Sequence, residues 1–163
     1  MNSPIPTATS ESVLKSMKSN KGINTGPELL LRQALRSAGY PGYRVHWKVP
    51  GKPDISYPGM KIAIFVNGCF WHRCPYCNIP IPKTHTDYWI EKFERNTQRD
   101  SINTKELQKM GWTVLVVWEC EINGKIDEVV SRIACSIEQR RLYFCYRLVF
   151  FINEICKITA KRS

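Results

Sequence analysis

Long apolar runs are missing from this chain. The strongest one, LYFCYRLVFFI at 142–152, is too short to span a bilayer and contains Arg147. It is expected to be a packing or association element, and no membrane is expected as a partner. The first residues, MNSPIPTATSESVLKS, have no charged segment followed by an apolar one. They do not read as a secretory signal but as a polar, loosely structured arm. There is no internal repeat, no low-complexity tract and no linker long enough to divide the chain. Acidic residues are scarce: 14 Asp and Glu stand against 24 Lys and Arg, a formal net charge of +10 in 163 residues. Such a balance favours a polyanionic partner, nucleic acid before an anionic membrane surface. With 43% hydrophobic and 23% charged residues, the chain is globular rather than disordered. The seven cysteines, without an export signal, point to a reducing compartment, where thiols bind metal or lie buried. A cytoplasmic location is therefore expected. The expected division is a flexible arm over 1–22, one domain over 23–141, and an apolar, basic tail over 142–163.

Residues 24–39, NTGPELLLRQALRSAG, carry a helix signature, with Thr25 as N-cap, Pro27 in the first turn, Glu28 three after the cap and Gly39 as the stop. YRVHWKV (43–49) alternates and is expected to be a strand. PGKPD turns into a short second strand at DISY, and KIAIFV (61–66) is a third, apolar enough to be central. Thr86 is expected to cap a long helix ending near Met110 and closed by Gly111. WTVLVVWE (112–119) reads as a buried strand, and DEVVSRIACSIEQRR (127–141) returns to helical spacing. The order α-β-β-β-α-β-α predicts an α/β fold around one sheet, which alone names no function.

Residues 65–77 read FVNGCFWHRCPYC. Cys69, Cys74 and Cys77 are spaced C-x4-C-x2-C, and Cys120 follows the last predicted strand. Zinc needs four soft or imidazole ligands, often two of them from a tight turn. Cys74 and Cys77 form such a turn; the fourth ligand is either Cys120 or His72. Cys135, Cys145 and Cys156 lie in apolar contexts and are expected to be core residues. A site with four protein ligands has no open position, so a zinc there is structural. Asp54 opens a strand after a turn, where it is either a turn residue or a ligand for a hard cation. Glu28 fits a capping box, His72 sits in the cysteine-rich turn, and His85 looks like an ordinary loop residue.

Taken in order, GKPD (51–54), IFVNGCFWHRCPYC (64–77), TDYWIEKFERNTQRD (86–100) and GWTVLVVWEC (111–120) resemble the very-short-patch repair endonucleases, from about Met17 to Cys120. These bacterial enzymes nick one DNA strand beside a T:G mismatch. The resemblance implies a restriction-endonuclease-like core, α-β-β-β-α-β, with an embedded structural zinc. It implies that Asp54 and the backbone carbonyl of Val66 hold magnesium, that His72 is the catalytic histidine, and that Glu28 is a helix acid linked to that histidine or to metal-bound water. Cys69, Cys74, Cys77 and Cys120 fall on the zinc positions. Phe70 and Trp71 match aromatics that wedge into the base stack, and Met17 matches an arm residue wedging from the opposite groove. The implied partner is double-stranded DNA bearing a T:G mismatch, bound by a monomer in the bacterial nucleoid.

The chain departs from the pattern in places. Phe65-Val66-Asn67 stands where the wider nuclease superfamily has an acid and a lysine, and Asn67 replaces a histidine at a DNA-contacting position. Cys74 replaces a histidine ligand, with one inserted residue before Cys77. Two other functions share these residues: a restriction-type endonuclease acting on matched DNA, and a zinc-knuckle nucleic-acid-binding module without catalysis, whose aromatics stack on bases.

Overall fold

The chain folds from its capping residues inward. The computed structural model describes residues 22–160, and their side chains as far as residue 146. Helix α1 is Gly26–Ser37, entered through Thr25 in extended backbone. Glu28 reaches back to the cap, its Oε1 accepting from the Thr25 backbone N–H at 3.3 Å and from the Thr25 hydroxyl at 2.8 Å. The first of these bonds satisfies a backbone donor that the helix start leaves without an intrahelical partner. Gly39, at φ 87°, ends the helix in a conformation that costs other residues more.

Three strands follow the expected order but not the expected number. Strand β1 is Ile55–Tyr57 and runs antiparallel to β2, Ile62–Asn67, with Ile55 opposite Ile64. Strand β3, Thr113–Trp118, pairs parallel to β2 from Ile62–Thr113 to Asn67–Trp118. The sheet order β1-β2-β3 makes β2 central, as its apolar run predicts. Parallel pairing of β2 and β3 needs a crossover, and α2, Thr86–Lys109, supplies it.

The pleat of β2 sorts its side chains into two cores. Ile62 and Ile64 face Leu31 and Leu35 of α1 and Ile133 and Ile137 of α3, Glu119–Ala160. Ala63 and Phe65 face the other way, toward Leu107 of α2 and Trp112. The sheet therefore lies between two helical layers. Each fully buried Leu or Ile contributes about 1.5–3 kcal/mol of transfer free energy.

Four expectations need correction. Residues 43–49 are not a strand: Arg44 makes one bridge to Ser56, and His46 then turns the chain at φ 47°. The His46 N–H bonds the Pro53 carbonyl at 3.1 Å, but Pro53 has no N–H to return and the ladder stops. Alternation is lost with it, since Tyr43 is buried while Val45 and Trp47 are exposed. Strand β3 is less buried than its composition suggests, with Val117 alone fully covered and Val116 exposed; it is one of the two sheet edges. His85, at φ 55°, is the N-cap of α2, while the Thr86 hydroxyl donates back to Pro82 and Lys83 carbonyls at 3.2 Å. Cys135 and Cys145 are exposed rather than core residues, and the side chain of Cys156 lies outside the described region.

Candidate active site and thiol cluster

The carboxyl end of β2 opens into a cleft of about 980 Å³ between the start of α1 and the flank of α2. Glu28, Asp54, Val66, Asn67, Trp71 and His72 all line it, joined by Asp100 from α2. The antiparallel β1–β2 pairing delivers Asp54 to this end, where the Val66 N–H donates to its Oδ2 at 2.7 Å. Burial pushes the Asp54 carboxyl above its ordinary pKa, and the nearby Glu28 carboxylate adds to the rise. The Val66 N–H opposes the shift, as do His46 and Arg32, without cancelling it. Among the described residues nothing donates to Oδ1 of Asp54. A half-buried carboxylate with one oxygen to spare, in a wall shared with a second acid, suits a hard cation bound by oxygen.

Glu28 is differently placed. It is 3% exposed, and its Oε2 accepts from Arg32 at 2.8 Å and from the Asn24 N–H at 3.0 Å, while Oε1 serves Thr25. It faces the cleft beside Asp54, but its hydrogen bonds run to its own helix and not to His72.

His72 rides on a tight turn. Its N–H bonds the Gly68 carbonyl at 3.2 Å and the Cys74 N–H bonds the Cys69 carbonyl at 3.0 Å, with Arg73 at φ 54° between them. Helix α2 braces the turn. Asn96 Nδ2 donates to the Trp71 carbonyl at 3.0 Å, and one helical turn later Asp100 pairs with His72 Nδ1. A carboxylate on Nδ1 fixes the tautomer and leaves Nε2 as the atom free to exchange a proton. Sequence reading missed Asp100. Its signal was the four-residue spacing of Asn96 and Asp100, which puts both on one helix face, but the face they meet is known only from the crossover.

The sulfurs of Cys69, Cys74, Cys77 and Cys120 all lie within 4.8 Å of one another, with Cys74 and Cys120 3.7 Å apart. A tetrahedron with metal–sulfur bonds of ~2.3 Å has edges of about 3.8 Å, so the cluster fits a soft divalent ion. Burial raises the Cys69 thiol, and burial with Cys77 as neighbour raises Cys120. For Cys74 burial acts the same way, but the N–H groups of Tyr76 and Cys77 outweigh it and hold that thiol below its ordinary value. The fourth sulfur is thus Cys120, and His72 is committed to Asp100 instead.

Phe70 and Trp71 are half-buried in a ring cluster. Phe70 lies edge-on to Trp71, Trp89 and Phe93 at 5.1, 5.3 and 5.2 Å, and the Lys92 ammonium stands 5.9 Å over the Trp71 ring. Trp89 was not anticipated; it arrives from α2, far off in sequence. Asn67 closes β2 at the cleft edge, and Met17 lies outside the described residues. Among the described residues no helix is long and apolar enough to cross a membrane.

Comparison with known proteins identifies the family. Residues 7–78 match the family model of the DNA mismatch endonuclease Vsr. The type II nicking enzyme V.XorIIP of Xanthomonas oryzae is 43% identical over 109 residues, 66% of this chain and 79% of that protein. The DNA mismatch endonuclease Vsr of Escherichia coli is 36% identical over 112 residues, 68% and 71% of the two chains. The type II nicking enzyme V.NaeI of Lentzea aerocolonigenes is 41% identical over 113 residues, 66% and 67%. With most of each relative covered at such identities, the chain belongs to the Vsr family of DNA mismatch endonucleases and is a DNA-cleaving hydrolase.

Proposed function

We propose that the protein nicks one strand of duplex DNA beside a T:G mismatch by magnesium-dependent hydrolysis of a phosphodiester. The observation that carries this reading is the meeting, in one cleft, of a cation-seeking carboxylate and an oriented histidine, with two aromatics on the histidine's own turn. Asp54 and the Val66 carbonyl would hold magnesium, which when bound supplies charge stabilisation at the phosphate and a more acidic water. His72 Nε2 takes the proton of the attacking water, and Asp100 stabilises the imidazolium that results. Glu28 keeps the wall beside Asp54 rigid and negative. Phe70 and Trp71 enter the base stack from one groove, with Met17 of the arm entering from the other and Asn67 touching DNA at the cleft rim. Unstacking costs a few kcal/mol per step and less at a mismatch, which gives a source of selectivity. The Cys69, Cys74, Cys77 and Cys120 cluster would hold structural zinc, which would fix the base of the turn.

The element order α1, β1, β2, α2, β3 supports a restriction-endonuclease-like core, with Arg44–Ser56 pairing as the remnant of a further strand. The domain would run over 23–141, preceded by the arm and followed by a tail; the protein would act as a monomer in the bacterial nucleoid. A matched-site endonuclease is the second reading, favoured by the relatives named as type II nicking enzymes.

Two end-labelled duplexes differing by a single T:G pair, incubated with magnesium or with EDTA, separate the readings. Magnesium-dependent nicking of the mismatched duplex alone is expected. Equal nicking of both would leave the endonuclease and remove the mismatch role.

A further inference from the structure

Two consecutive residues at the start of α3 reach the same point of the catalytic turn. Cys120 meets Cys69 through sulfur in the thiol cluster, and Glu119 Oε2 accepts the Cys69 backbone N–H at 3.2 Å. The first tie holds the side chain of Cys69; the second holds the peptide that joins it to Gly68. Glu119 also lines the cleft, alongside Gly68, Trp71 and His72.

We infer that Glu119 is a positioning residue, whose carboxylate sets the rotation of the Gly68–Cys69 peptide and thereby the placement of Trp71 and His72. The Cys69 N–H has the Glu119 carboxylate as its acceptor, so without it the peptide would turn toward another partner, cleft water included. Gly68 has no side chain to resist that turn. It is also where the ring of Trp71 lies: a Cβ on Gly68 would stand 3.2 Å from Trp71 Cδ1 and 3.9 Å from Glu119 Oε2. The bond from the His72 N–H to the Gly68 carbonyl belongs to the same peptide, so a rotation there reaches the histidine as well. The thiol cluster by itself leaves this rotation open, because a sulfur tie constrains Cβ and not the peptide plane.

The consequence for cleavage rests on the function proposed above; the consequence for Trp71 does not. The experiment therefore uses the full chain as wild type, Glu119→Ala and Glu119→Gln, with three readouts. These are zinc content, the Trp71 indole resonance assigned with Trp71→Phe, and the single-turnover nicking rate on T:G duplex. Glu119→Ala is expected to keep its zinc, shift the indole resonance and nick about 10- to 100-fold more slowly, with a smaller change in duplex affinity. Glu119→Gln, which keeps an oxygen acceptor, should restore the resonance and most of the rate. An unmoved resonance in Glu119→Ala overturns the inference, as does loss of its zinc, which would make the carboxylate a support of the thiol cluster. Equal impairment of both variants overturns it too, since charge and not acceptance would then matter. Should Glu119→Ala not fold, Glu119→Asp, whose carboxylate stops one carbon short of the Cys69 N–H, must shift the same resonance, and an unmoved one overturns the inference. A wild type that nicks no duplex would remove the proposed function while leaving the resonance test intact.

Discussion

Glu28 and Asp54 share one wall of the cleft and have opposite surroundings. Glu28 spends both oxygens on Arg32, Asn24 and Thr25, so its charge is answered within the helix that carries it. Asp54 receives one N–H, from Val66, and is pushed toward protonation by burial. A fold optimised for stability alone would not leave a carboxylate in the second condition. Under the function proposed above, Glu28 also braces the wall, whereas Asp54 is the acid left for a ligand.

The strongest way to break this contrast is Asp54→Asn. Nicking should fall by about 10³-fold or more, the loss of several kcal/mol of electrostatic stabilisation at the phosphate. Stability should move the other way. Because the folded pKa of Asp54 is raised, ionisation opposes folding above that pKa, and the cost vanishes as pH falls below the unfolded value. The variant should therefore melt higher than wild type near neutral pH in EDTA, with the gap closing by about pH 3.5. Magnesium should raise the melting temperature of the wild type and not of the variant. A variant that melts lower at neutral pH would mean Asp54 is structural after all.

Glu28→Ala tests the other half. Removing one partner of a buried pair leaves Arg32 uncompensated and strips the cap, at a cost of about 3 kcal/mol or roughly 10 °C in melting temperature. Glu28→Gln keeps the cap bonds and should lose less. If Glu28→Gln melts like wild type yet no longer nicks, Glu28 belongs with Asp54 and the contrast fails. Asp100→Asn comes next: with the tautomer no longer enforced, the nicking rate should drop by about 10²-fold while duplex affinity holds. An unchanged rate would leave the His72–Asp100 pair without a part in proton transfer.

The two acids also show what residue pattern can and cannot convey. Glu28 was legible because capping is local: cap, proline and acid lie within four residues. The thiols were legible because C-x4-C-x2-C is a metal-ligand spacing, and Cys120 stood at the end of a predicted strand whose end could lie beside that of β2, with His72 as its rival. Asp100 meets His72 across 28 residues and a crossover, so its partner exists only once the parallel pairing is known. The failure at 43–49 is of another kind. Alternation there is real, but positive φ at His46 and the missing N–H of Pro53 override it. At the other end, the helix expected over 127–141 is present, but a shorter helical segment from Glu119 precedes it across a break at Lys125, φ −147°, and was not anticipated. That start carries both Glu119 and Glu121.

Glu121 sharpens the contrast at its mild end. Its Oε2 accepts the Trp118 N–H at 2.8 Å and its Oε1 accepts from Arg132 at 2.9 Å, so both oxygens are answered, as in Glu28. The difference is water, since the Arg132 side chain is 46% exposed. Burial alone would raise the Glu121 carboxyl, but Arg132 and the Trp118 N–H outweigh it and lower the pKa. A lowered folded pKa stabilises the fold above the unfolded value and is lost as pH falls through the folded one. Solvent screening keeps that contribution below about 1 kcal/mol. Glu121→Gln should therefore melt only slightly lower at neutral pH, and the difference should disappear on acidification, the reverse of the Asp54→Asn gap in sign though not in direction of closing. Thermal melts of the two variants across the same acid range compare them directly. A deficit in Glu121→Gln that persisted in acid would place its cause in packing rather than charge.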